Sequence, residues 1–270
     1  MIIKEMKVIH VKTWQELLET LFSESWNSNL ERFRSKEAYR GLSTADYPLQ
    51  TTLMRLGGSY AKLEKHLLRN FRKYAHRNMV EKDSIWHWLT LAQHHGLPTR
   101  LLDWTYSPLA ALHFATANLE KFNNDGVIWA VNYVNMHHHL PKNLSHQLHT
   151  EGANVFTIEM LSESIASLDH FDTLTEREFA IFVEPPSIDD RIVNQHALFT
   201  LMPSPEAKLD DLIAKNENIG RKIIIPHQLK WEIRDKLDQA NINERVLFPG
   251  LDGLSSWLKR QYTPRSFPLP

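Results

Sequence analysis

Apolar positions along the chain alternate between helical and strand-like periods, and the switches mark out its elements. Trp14, Leu17, Leu18, Leu21 and Phe22 recur at helical spacing behind Thr13, a capping residue, so residues 13–23 are expected to form a helix after a short extended entry. EAYRGLS (37–43) sets an aromatic beside a glycine, as in a strand that ends in a close backbone approach, and Gly57-Gly58 marks a turn. Residues 60–76 place Leu63, Leu67, Phe71 and Tyr74 on one face of a helix and basic residues on the other. A second helix follows Asp83 and is expected to end at a left-handed cap on Gly96, with Pro98 preventing resumption. Residues 96–105 read as loop or strand. Ser107-Pro108 then starts a helix whose Ala110, Ala111 and Ala115 permit close packing. Beyond it the period shortens to strand-like runs at 127–134, 179–185, 197–202 and 222–226, separated by polar or helical stretches. Helices return from Gln228 and Gly253. The expectation is an α+β fold, a mixed and largely antiparallel sheet with flanking helices. One domain is expected over 1–270: a helical part to about 125, a strand-rich part to about 226, and C-terminal helices.

Composition narrows the classes. With 42% hydrophobic residues in 270, the chain can bury a sizeable core. Its 31 Lys and Arg nearly cancel 32 Asp and Glu, so no net field draws it to nucleic acid or an anionic membrane. Cysteine is absent, which excludes disulfides, thiolate metal sites and cysteine nucleophiles. The first residues, MIIKEMKVIHVKTW, carry charges where a signal peptide is apolar, and no run approaches the roughly 18 apolar residues of a membrane span. A cytoplasmic protein without membrane attachment is expected.

Polar chemistry concentrates in LAQHHGLPTRLLDWTYSPLAALHFA, where two helix ends meet and side chains can converge on a cleft. Here Arg100 and Asp103 either pair structurally or face a ligand, and Trp104 either fills core or lines the site. His94 and His95 point about 100° apart on a helix, and His95, nearer Gly96, is the candidate for the cleft. A hydrolase using either histidine as general base, with Arg100 on a phosphate, is an open alternative. His137, His138 and His139, with His146 and His149, match no closed zinc set, and no metal is expected. Lys62, Lys65, Arg69, Arg72, Lys73 and Arg77 spread around an outer helix face, the ordinary solvated pattern. Walker, Rossmann and nucleophile-elbow motifs are absent.

Tyr39-Arg40-Gly41, then Pro48-Leu49 and Arg55, then the run from Gln93 to Thr105 (QHHGLPTRLLDWT) closely resemble the FRG-domain family. The helix PLAALHFA, Arg191, Gln195 and Phe199, and LFPGLDGL (247–254) extend the resemblance over nearly the whole chain. It implies a bacterial or phage-type intracellular domain, which makes a role in defence or toxicity an expectation. A weaker resemblance, to the ADP-ribosyltransferase plan, rests on the order of Arg-Gly on a strand, a Thr before an alanine-rich helix, and a later Asn-Gln before an apolar strand. That resemblance implies a split sheet with NAD in the cleft and a protein or nucleic-acid acceptor. Arg40 would hold an NAD phosphate, Gly41 would present backbone to the nicotinamide amide, and Thr105 would meet the nicotinamide ribose, with Tyr39, His95, Arg100 and Trp104 around the nucleotide. Gln195 would stand where many transferases have Glu. A neutral amide can orient the ribose hydroxyl but cannot stabilise the oxocarbenium charge as a carboxylate does, so Asp103, ahead of Glu178 and Glu184, is the candidate to compensate. A module that binds a nucleotide or partner without turnover is the other open reading.

Overall fold

A computed structural model of the chain describes residues 6–75, 79–80, 82–175, 177–216 and 218–265. Ten strands are present among these residues: β1 (Lys7–His10), β2 (Trp26–Asn27), β3 (Arg32–Phe33), β4 (Glu37–Leu42), β5 (Leu102–Thr105), β6 (Gly126–Asn132), β7 (Phe156–Thr157), β8 (Ile181–Glu184), β9 (Ala197–Leu201) and β10 (Gly220–Ile225). Strands β2 and β3 form a separate hairpin, and the others form one sheet in the order β1-β10-β6-β4-β5-β9-β8-β7. Only the edge pairs β1/β10 and β7/β8 are parallel, so the sheet is mixed and largely antiparallel, as the sequence pattern implies.

These eight strands form one sheet, not the two separate sheets that the transferase resemblance implies, and it is thinly paired at its centre. Strands β4 and β6 are in register over six residue pairs and β5 and β9 over four, yet β4 and β5 meet only at Tyr39 and Thr105. Beyond that pair β4 and β5 share no register partner, and the Asp103 carbonyl of β5 accepts from the Arg40 side chain instead. Three clusters of buried residues fix the halves. Tyr39, Ile128, Ile223 and Ile225 pack under the helices α1 (Trp14–Phe22) and Lys230–Gln239, with Ala111 and Ala115 bringing in the Pro108–Ala115 helix. Trp129, Leu198 and Phe182 form a core on Leu209, Leu212 and Ile213. Strands β8 and β9 pack through Ile181, Val183 and Leu201 against the helices Ile85–His94, Ile158–Ser164 and Leu168–Asp172.

Caps set the helix boundaries. Thr13, Ser84 and Ser107 each accept the amide three residues on, at the starts of α1, α3 (Ile85–His94) and α4 (Pro108–Ala115). Between α1 and α3 lies α2 (Tyr60–Tyr74); the last residue of its expected span, His76, and Arg77 lie outside the described residues. Gly96 sits at φ +80° and ends α3 as expected. The expected strand 127–134 stops at Asn132, because the Asn132 side chain caps a short helix, Tyr133–His137. In α2 the inward residues are Glu64 and Leu68, while Leu63 and Tyr74 of the expected apolar face are exposed. The reason is an ion pair: Glu64 turns in to meet Arg100.

The histidine run is resolved by burial. His137 is 6% exposed, with Nδ1 facing the Asn154 carbonyl at 2.9 Å and Nε2 accepting from the Phe182 amide at 2.9 Å. That arrangement requires a neutral ring. Burial holds the His137 pKa down to about 4 and that of His113, beside Arg234, to about 3. Both folded values lie below the ordinary 6.5, so the unfolded chain binds more protons as pH falls below 6.5, and stability is lost in that direction. Denaturation at pH 5 is expected to show about 2 kcal/mol less stability per histidine than at pH 8. His137→Leu should flatten that slope by one proton; an unchanged pH slope would contradict the buried neutral ring. Among the described residues no three His, Asp or Glu are grouped to hold a metal, and no helix is long and apolar enough to cross a membrane.

Candidate functional site

A cleft of about 440 Å³ opens where β4 and β5 part, floored by both strands and walled by α3, the loop before α2, and residues 191–199. Strand alternation decides who faces it. On β4, Tyr39 and Gly41 point toward α4 and Arg40 points to the other side. A β-carbon on Gly41 would lie 1.8 Å from the Ala111 carbonyl oxygen and 2.7 Å from the Ala115 amide, so the glycine is demanded by helix packing. The expected close approach is therefore real, but its partner is α4, and only the Gly41 backbone borders the cleft. Tyr39 is fully buried; its hydroxyl lies 3.0 Å from Glu37 Oε2, 3.3 Å from the Leu21 carbonyl and 3.2 Å from Ser35 Oγ. Burial and the neighbouring Glu37 push its phenol pKa up, and it remains a neutral pillar of the core.

Arg40 lies across the divide in the sheet. Its Nη1 donates to the Asp103 carbonyl and stands 3.8 Å from Asp103 Oδ2. Its Nε is buried without a hydrogen-bond partner among the described residues. Burial lowers the Arg40 pKa, with Asp103 opposing and Arg55 reinforcing the shift, and the guanidinium remains a cation. Asp103 accepts from Gln93 Nε2 at 3.0 Å; Gln93 Oε1 accepts from Thr99 Oγ1 at 2.6 Å, which in turn accepts the Leu101 amide. This relay fixes the carboxylate beside Arg40 and leaves the Asp103 side chain 56% exposed at the cleft.

Thr105 and Gln195 meet on the far side. Thr105 Oγ1 donates to the Gln195 carbonyl at 2.6 Å and accepts the Ser107 amide at 2.9 Å, so the hydroxyl's one proton is spent within the protein. The Gln195 side chain donates through Nε2 to the Leu247 carbonyl at 2.9 Å. A carbonyl partner identifies that atom as the amide nitrogen, and the amide oxygen is left as the group able to face a ligand.

Besides Tyr39, three more of the sequence candidates lie elsewhere or face inward. Arg100 is 3% exposed and is held by Glu64, Asp172 and the Pro203 carbonyl, so it neither pairs with Asp103 nor reaches the cleft. Trp104 borders the cleft but is 3% exposed, its Nε1 donating to Thr200 Oγ1 and its ring edge-on to Phe182. His95 is exposed beside Phe71, and His94 lines the cleft in its place, with Nε2 2.6 Å from Asp189 Oδ2. Burial lowers the His94 pKa despite that carboxylate. Of the other carboxylates, Glu178 pairs with Lys215 and Glu184 accepts from Tyr106, both away from the cleft.

Two arginines complete the electrostatics. Arg55 and Arg191 line the cleft; the Arg55 side chain makes no ion pair or hydrogen bond among the described residues, and Arg191 lies over the Phe248 ring at 5.1 Å. Tyr47, Thr52 and Phe114 add hydroxyl and aromatic surface. Nothing in their local pattern distinguishes Tyr47 and Thr52 from loop residues, so only the fold reveals them. With Arg40, the cleft presents three guanidinium groups, against the carboxylate of Asp103 in its lining and that of Asp189 on His94 behind it, an anion-binding field.

Residues 35–124, from just before β4 to just beyond α4, match the family model of the FRG domain. The chain thus carries an FRG domain, which supplies Arg40, Arg55 and Asp103 to the cleft, whereas Arg191 and Gln195 come from outside the matched span. No curated protein and no solved structure shows a match to the chain.

Proposed function

We propose that the cleft binds NAD and that the protein acts on it as an ADP-ribosyltransferase-like enzyme. One observation carries the reading. The sheet parts at the single Tyr39–Thr105 contact, and three arginines surround the resulting cleft, one of them lodged across the gap. A pyrophosphate needs bidentate donors of this kind, and the volume lies in the range of small-molecule sites. Phe114 and Tyr47 offer flat apolar surface for the rings at either end. In the reaction the bond from nicotinamide to ribose breaks, nicotinamide leaves with the electron pair as positive charge develops on the ribose, and a nucleophilic group of the acceptor bonds the same carbon and gives up its proton. Gln195 can orient a ribose hydroxyl through its amide oxygen, and Asp103 supplies the negative charge that Gln195 lacks.

A second reading has its own observation: His94 and Asp189 form a hydrogen-bonded pair at the cleft edge, an arrangement suited to a general base acting on a phosphodiester. A module that binds without turnover is the third. Incubation with NAD separates them. The transferase reading expects nicotinamide release that Asp103→Asn lowers by about 100- to 1,000-fold, the scale of one electrostatic contact to the transition state. NAD binding without release supports the binding module, and cleavage at the pyrophosphate, lost in His94→Gln, supports the hydrolase. A chain that releases nicotinamide should also slow the growth of cells expressing it, in line with a defence or toxin role, and Arg40→Ala should relieve the burden.

A further inference from the structure

The cleft's second wall is not self-supporting. Residues 190–194 form a single short helix, and it and the following Gln195 are held by three contacts that all fall on residues 246–248 of one turn. Asn194 Nδ2 donates to the Val246 carbonyl at 2.9 Å, Gln195 Nε2 donates to the Leu247 carbonyl at 2.9 Å, and Arg191 stacks on Phe248. That turn is in turn fixed from behind. Glu244, at its start, accepts from Arg234 Nη2 at 2.9 Å and from Arg260 Nε at 2.8 Å, while Arg260 also forks onto Asp238 at 2.6 and 2.7 Å. Burial alone would raise the Glu244 pKa, yet the two guanidinium groups bring it down to about 2. Asn243, 2% exposed, caps the turn by accepting the Val246 amide.

The closest contact is at Gly253, in the C-terminal helix Leu251–Gln261. A β-carbon there would lie 1.8 Å from the Phe248 carbonyl oxygen and 2.6 Å from that of Glu244. No side chain fits, so the C-terminal helix touches the turn backbone to backbone. This gives the LFPGLDGL segment a physical role that its distance from the cleft in sequence conceals.

We infer that the turn 244–248 is the buttress of the cleft's second wall, and that Gly253 and Glu244 are positioning residues that set Arg191 and Gln195 against the ligand. The ligand named rests on the NAD reading above; the buttress itself does not. The test uses the full chain in two arms. Without ligand, Gly253→Ala should quicken amide exchange at residues 191–196 about tenfold while β6 amides are unchanged, because opening is local. With NAD, Arg191→Ala should weaken binding about tenfold and Gly253→Ala at least as much, and their effects should be less than multiplicative in the double variant, since one acts partly through the other. Phe248→Leu, which keeps the backbone and removes the stacked ring, should give the same local exchange and the same coupling with Arg191→Ala, and replaces Gly253→Ala if that variant does not fold. Exchange that is unaltered at 191–196, or that rises throughout the chain, overturns the inference, as does an NAD effect that multiplies in the double variant. If the wild type does not bind NAD, the NAD reading fails and the exchange arm still decides the buttress.

Discussion

Arg100→Met is expected to cost about 3–5 kcal/mol of folding stability, the largest loss of any single change at a residue of the Gln93–Thr105 segment. The Arg100 guanidinium and the Glu64 carboxylate are both nearly inaccessible, at 3% and 1% exposure, and they meet through Nε and Nη2 at 2.7 and 2.6 Å. The Arg100 amide adds a third bond to Glu64 at 3.0 Å, and Nη1 reaches Asp172 and the Pro203 carbonyl. Removing the cation leaves a buried carboxylate unpaired, and the penalty is desolvation of that charge more than loss of the bond. The double variant Arg100→Met with Glu64→Leu should therefore recover much of the loss. Urea denaturation checks both. Since Arg100 does not reach the cleft, ligand affinity of folded protein should change less than twofold. A stability loss under about 1 kcal/mol with lost ligand affinity would return Arg100 to the binding role that the sequence suggested.

Arg100 also shows what in this chain was legible and what was not. The run from Gln93 to Thr105 is conspicuous for polar and aromatic density, and the fold does place it at the cleft. Which of its members face a ligand depends on strand parity and on distant partners. Leu102 and Trp104 share the core face of β5, which turns the indole inward to Thr200, while Asp103 lies on the other side. Arg100 is drawn to Glu64 and Asp172, residues 36 and 72 positions away, and no local pattern announces such partners. His94 replaces His95 for the same reason, its partner Asp189 lying on the far wall. The elements themselves were accessible because caps and periodicity are local: Thr13, Ser107 and Gly96 act where their side chains or φ angles require. The split into two sheets that the resemblance implied is not what the chain forms, and the single pairing of β4 with β5 could not be read from either strand's own sequence. Gly41 was singled out for the right geometry with the wrong neighbour, because a missing side chain does not say which surface fills its place.

Arg40→Ala should have the largest effect on ligand binding. The side chain bridges the two halves of the sheet through the Asp103 carbonyl, keeps a buried Nε without a partner, and shares the cleft with Arg55 and Arg191. A charged hydrogen bond in such a place contributes about 1.5–3 kcal/mol, or roughly 10- to 100-fold in affinity. Its loss also removes a bond across the divide, so a modest fall in stability should accompany it, smaller than that of Arg100→Met.

Isothermal titration of NAD into the wild type and Arg40→Ala tests the central claim most directly. The account predicts saturable one-to-one binding to the wild type, weakened at least tenfold by Arg40→Ala in protein that remains folded, and weakened also as salt rises because arginine meets phosphate. A wild type that takes up no NAD at millimolar concentration, or an Arg40→Ala variant that binds it as tightly as the wild type, would contradict it.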